Sequence, residues 1–137
     1  MMTMAQARST YLAVACPASG TTTVIYKSLM SRPASQIDQA TVDRVHAFSL
    51  TAVRQDTAEF RAFTQTDPAW PPNLHADIAK LADLARTHRD EYVVLTSAST
   101  GPQMVQIWNS WPGPSQAQLN AWQNIWLLLG LPPGFGC

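Results

Sequence analysis

The side chains able to do chemistry in this 137-residue chain are two cysteines, three histidines and scattered acids and hydroxyls. Cys16 and Cys137 stand near the two ends. If they pair, they close a loop that the chain-entropy view credits with roughly 5 kcal/mol before strain is subtracted. Two cysteines at the ends of a small domain suit an oxidising compartment; the ordinary alternative is two free thiols in a reducing one. They form no CxxC, and the chain has neither HExxH nor a His/Cys cluster with zinc spacing, so no metal site is expected.

His46 and His88 fall on the two central helices read below, and His75 stands where the second of them begins. His88 occupies an apolar seam, where an imidazole serves as base or ligand, or more ordinarily as a hydrogen-bonded boundary residue. Asp83, Asp90 and Glu91 are interleaved with Arg86 and Arg89. Acids so placed do acid–base work only if burial separates their pKa values; the commoner outcome is a solvated face of short-range ion pairs. No Gly-x-Ser-x-Gly elbow is present. Gly20 followed by three threonines lacks the Gly-Lys-Ser/Thr ending of a phosphate loop. No catalytic constellation emerges, and the chain reads as no enzyme. The strongest lead is aromatic: Trp108, Trp111, Trp122 and Trp126 crowd together, with Trp70 apart. They suit a core, or a partner-binding patch to which Leu127 and Leu128 would add.

The elements that must position these residues follow from composition and spacing. The length fits one domain. Hydrophobic residues make up 46% and charged residues 13%, so the surface rests largely on neutral polar groups. With a net charge of zero and no Lys/Arg cluster, nucleic acid and anionic membranes are poor partners. No apolar run is long enough for a transmembrane helix. The opening residues lack the basic and apolar regions of a signal peptide, so a removed leader is the expectation for an exported protein.

Proline and glycine divide the chain into four segments. The first, about Ala5 to Ser31, is expected to break at Cys16-Pro17. In the second, about Ser35 to Thr66, Val42, Val45, Phe48, Ala52, Phe60 and Phe63 lie near helical spacing, with Asp43, Arg44, Arg54 and Asp56 elsewhere around the helix. In the third, starting at Pro71-Pro72, Leu74, Ile78, Leu81, Ala85, His88, Tyr92 and Leu95 alternate by four and three, forming a narrow seam on a helix that should stop before Gly101-Pro102. The short link between these two helices predicts an antiparallel hairpin. The fourth holds a short piece from Gln103 to Ser110, then a helix opened by a capping box at Ser115 and Gln118 and stopped at Gly130. The tail from Gly134 would then fold back to Cys16. Residues 21–26 and 92–96, with Met104 to Trp108, are rich in strand formers, and a small sheet is the competing reading.

Cys16-Pro17 preceded by Tyr11-Leu12, the mid-chain Trp70-Pro71, and the ending Leu129-Gly130-Leu131-Pro132-Pro133 with Gly136-Cys137 resemble small secreted or lipid-anchored helical proteins of actinobacteria and their phages, of unknown function. The resemblance implies a helical fold, a disulfide and export. It brings no activity and no catalytic residue, and the lipidated cysteine of such proteins would precede Met1.

The expected fold is therefore an all-α bundle of four to five helices with a central antiparallel pair, one domain over residues 1–137, clasped by Cys16–Cys137. Residues 1–8 are expected to be disordered or a cloning remnant. The expected function is a non-catalytic extracytoplasmic interaction module, secreted or envelope-associated, binding an envelope or extracellular protein through Trp108, Trp111, Trp122, Trp126, Leu127 and Leu128. The alternative is a carrier of a small apolar ligand between helices, without cofactor or metal. A module predicts an exposed Trp/Leu patch, and a carrier an apolar cavity near Trp122 and Tyr92. Catalysis predicts His46 or His88 in a cleft beside a carboxylate.

Overall fold

Thr3 opens the first helix through a capping box, its hydroxyl accepting from the Gln6 amide while the Gln6 side chain accepts from the Thr3 amide. In the computed structural model, which describes residues 1–133 and 137, this helix, α1, spans Met4–Met30. The expected fold-back of Gly134, Phe135 and Gly136 lies outside the described residues. The expected disorder over residues 1–8 is corrected: Met2 is buried in the core, its amide donates to the Ala69 carbonyl at 2.8 Å, and the helix is under way by Met4.

The expected break at Cys16-Pro17 is likewise corrected, since α1 runs through Pro17. An interior proline removes one ladder bond, at a cost of about 3 kcal/mol. Ala7, Tyr11, Ala18, Thr21, Ile25 and Leu29 are buried on both sides of it, so one continuous face is packed and offsets that loss. Residues 21–26 are helical in α1 and residues 92–96 in α3; among the described residues there is no strand, only an isolated bridge between Thr66 and Ala69. Thr21 and Thr23 donate their hydroxyls to the carbonyls of Pro17 and Ser19, so these β-branched residues are accommodated within the helix.

After a 3-10 turn at Ala34–Gln36, α2 spans Gln39–Phe63, with Asp38 capping its start by accepting from the Thr41 amide at 2.8 Å. A second 3-10 turn, Pro72–Leu74, leads into α3, His75–Thr96. α3 stops before Gly101-Pro102 as expected, and the Thr96 and Ser97 hydroxyls donate back to the carbonyls of Val93 and Val94, each at 2.6 Å. α4 spans Gly101–Ser110 and α5 Gln116–Leu128. The capping box at Ser115 and Gln118 forms as expected. Gly130, at φ +68°, ends α5: its amide reaches the Leu127 carbonyl and the Leu131 amide reaches that of Trp126, a complete Schellman motif.

The expected antiparallel pair is α2 and α3. The end of α2 at Phe63 shares a core with Leu74 and Ile78 at the start of α3, while Val42, Val45 and Ala52 share a second core with Tyr92 and Leu95 near its end. α1 and α5 complete the first core with Tyr11, Ala121, Ile125 and Leu129; α4 covers the second with Met104. Gly101 lies against Ile37, where an added Cβ would come within 2.6 Å of the Ile37 Cβ, so only glycine fits that approach. The Cys16–Cys137 disulfide is formed, with Cα atoms 5.0 Å apart across a sequence separation of 121.

Candidate functional site

The buried faces of α2 and α3 both follow a four-three alternation. On α3 the seam is the one read from sequence, widened by Ala82 and Leu84, since the helix also packs against α5. On α2 it comprises Val42, Val45, Ser49, Ala52, Asp56, Glu59 and Phe63. Asp56 is therefore not elsewhere around the helix but on the packed face, only 3% exposed. Glu59, one turn on, is half-buried. An apolar pattern drawn through Phe48 and Phe60 passes both by, because those rings are half-buried at the margin of that face. The signal that finds them is the unbroken heptad spacing, with polar residues admitted to it.

Opposite these carboxyls the helices do not close. A cavity of about 270 Å³ opens between α1, α2, α3 and α5. α1 contributes Tyr11, Ala15, Ala18, Ser19 and Thr22; α2 contributes Asp56, Glu59 and Phe63. The α3 wall is Leu81, Leu84, Ala85 and His88, and Trp122 and Trp126 form the α5 wall, with Cys137 at the margin. The aromatic walls are braced from behind. Trp126 Nε1 donates to the Tyr11 hydroxyl at 3.0 Å, the rings of Trp122 and Trp126 stack with centroids 6.2 Å apart, and Tyr11 stacks on Phe63 at 6.2 Å.

The acid pair is electrostatically unusual. Burial pushes the Asp56 and Glu59 carboxyls well above the ordinary carboxylate range; the Asp56 charge raises Glu59 further, whereas a hydrogen bond from Glu59 eases the ionisation of Asp56. Neutral Glu59 donates towards Asp56, so the two share protons rather than both ionising. Apart from the Glu59 carboxyl no donor reaches the buried Asp56 Oδ2, and among the described residues no cation forms an ion pair with either acid. From α3, burial raises Glu91 and lowers His88, leaving the imidazole neutral near pH 7. From α1, burial raises the Tyr11 hydroxyl. Tyr92, whose hydroxyl is 2.7 Å from that of Thr22, is raised by burial as well.

The structure separates the other residues singled out from sequence. His88 stands in a cleft beside carboxylates, the placement that catalysis would require, but among the described residues it has no hydrogen-bonding group to orient it. His46 is half-buried on α2, about 15 Å along the helix from Asp56. His75 Nε2 meets the Trp70 carbonyl at 2.6 Å and fixes the loop before α3. Asp83 and Asp90 are exposed, 3.3 Å from Arg86 and Arg89 respectively, as a solvated face requires. Trp108 and Trp111 pack on Tyr92, with centroids 6.4 and 5.4 Å away, over the second core. Trp122 and Trp126 face the cavity, whereas Leu127 is 75% and Leu128 40% exposed. Among the described residues no three His, Cys, Asp or Glu side chains converge to hold a metal ion, and no helix is long and apolar enough to cross a membrane. Compared with protein-family models, curated proteins and solved structures, the chain finds no match, so the reading of the site rests on its own geometry.

Proposed function

We propose that the protein binds a small, largely apolar molecule in the cavity between α1, α2, α3 and α5. The observation that carries this reading is a cavity of about 270 Å³ walled by Tyr11, Phe63, Leu81, Leu84 and two tryptophans, with a few polar groups from α1, α2 and α3. Binding sites are characteristically concave and apolar with a few placed polar groups. The volume lies between the ~150 Å³ that accommodates benzene and the lower end of drug-sized sites, which suits one or two fused rings. The role is that of a carrier or receptor without chemistry, in an extracytoplasmic setting that the disulfide favours. Calorimetric titration with indole tests it. The parent protein binds, and Ala15→Phe, which places a ring in the cavity from the half-buried face of α1, weakens binding at least tenfold. Equal heats for both proteins, or none for the parent, contradict the reading.

A second reading, an interaction module for an envelope or extracellular protein, is supported by the exposed Leu127 and Leu128 on α5. A Leu127→Ser, Leu128→Ser variant that retains every partner recovered by the parent from envelope extracts contradicts it.

A further inference from the structure

We infer that the cavity's ligand is an organic cation, an ammonium group on an apolar body of one or two rings, held by Asp56 and Glu59. The inference deepens the binding reading above and rests on it. The first observation is an under-used acceptor: Asp56 is 3% exposed, lines the cavity, and its Oδ2 meets no donor apart from its fellow acid Glu59. A buried carboxyl in that state is costly unless something supplies a hydrogen bond and, once it ionises, a counter-charge. The second observation is that the protein supplies no counter-charge, since no arginine, lysine or histidine pairs with either acid among the described residues.

The groups facing the pair make the local field negative. Glu91 approaches from α3, His88 beside it is held neutral by burial, and the Tyr11 and Tyr92 hydroxyls are uncharged. Burial keeps the pair partly protonated, and an arriving ammonium would displace a proton from the pair to solvent while donating a charge-assisted hydrogen bond. The rest of the wall selects what carries the charge. The aromatic rings of Trp122, Trp126 and Phe63 in the wall favour a cation attached to apolar surface. A bare metal ion would find too few ligands, and a hydrated one would be set against hydrocarbon.

Three indoles of similar size but different charge test the inference by calorimetry at pH 7.5: tryptamine, its alcohol analogue tryptophol, and indole-3-acetate. Tryptamine is expected to bind at least about tenfold more tightly than tryptophol, the discrimination one charge-assisted hydrogen bond supplies, and indole-3-acetate more weakly than either. In Asp56→Asn and Glu59→Gln that preference falls to within a factor of about three, while far-ultraviolet circular dichroism and a cooperative thermal transition report that each variant is still folded. Equal binding of tryptamine and tryptophol, preference for the acetate, or a tryptamine preference that survives both substitutions overturns the inference and leaves the binding reading standing. Failure of all three compounds to bind removes both. The comparison among the three compounds stands on the parent protein alone if either variant fails to fold.

Discussion

At the scale of single residues, Asp56 and Glu59 carry the account. An unfolded carboxyl titrates near 4, whereas in the folded protein burial raises both, and the Asp56 charge helps carry Glu59 to about 9. The folded chain therefore holds protons that the unfolded chain releases, and this contribution to stability is full below about pH 4 and lost as pH rises through the raised folded values. His88 acts in the opposite sense: its folded value is depressed by burial, so its contribution is present above about 6.5, its unfolded value, and lost as pH falls through the depressed one. Above about pH 6.5 only the acid pair among these groups slopes, and stability declines with pH. Asp56→Asn should flatten that slope and raise stability at pH 8.5 by about 1–3 kcal/mol, the cost of a buried unmatched charged acceptor. Urea midpoints at pH 4.5, 7 and 8.5 check this; a parent stability that rises between pH 7 and 8.5 with a slope unchanged in the variant contradicts it.

At the scale of elements, the helices were legible wherever spacing and termini agreed. The α3 seam, the Ser115 capping box and the Gly130 stop could all be read from residue types, because each acts through neighbours within a few positions. Legibility failed where long-range packing overrode local preference. Pro17 lies inside α1 because the helix is packed on both sides of it, and β-branched runs joined helices because their faces were buried. The acid pair was hidden for a related reason: a heptad seam was read as apolar, although α2 places Ser49, Asp56 and Glu59 on it. Two substitutions test the packing so described. Gly101→Ala, which forces a Cβ onto Ile37, should destabilise by about 1–3 kcal/mol. Ser115→Ala, which removes a hydroxyl acceptor from the exposed start of α5, should cost about 1 kcal/mol. Thermal unfolding ranks them, and a neutral Gly101→Ala would mean that the α4 contact is looser than described.

At the scale of the whole molecule, two cores divide the labour. One, under α4, is filled by Met104, Leu95 and their neighbours; the other, bounded by α1 and α5, contains the cavity and lies at the clasped end. The clasp was legible from cysteine position alone, whereas the cavity was not, since a void depends on how four helices fail to meet. Cys16→Ser with Cys137→Ser should lower stability by about 2–5 kcal/mol, chiefly by freeing the unfolded chain, with the midpoint in urea as the measure. A loss below 1 kcal/mol would contradict the entropic account of the clasp. The measurement that bears most directly on function is a methyl NMR titration of the native protein with tryptamine. Binding in the cavity should shift Leu81 and Leu84 while leaving Leu95 and Met104 in the other core unmoved; shifts confined to Leu127 and Leu128, or none at all, would contradict a ligand site inside the bundle.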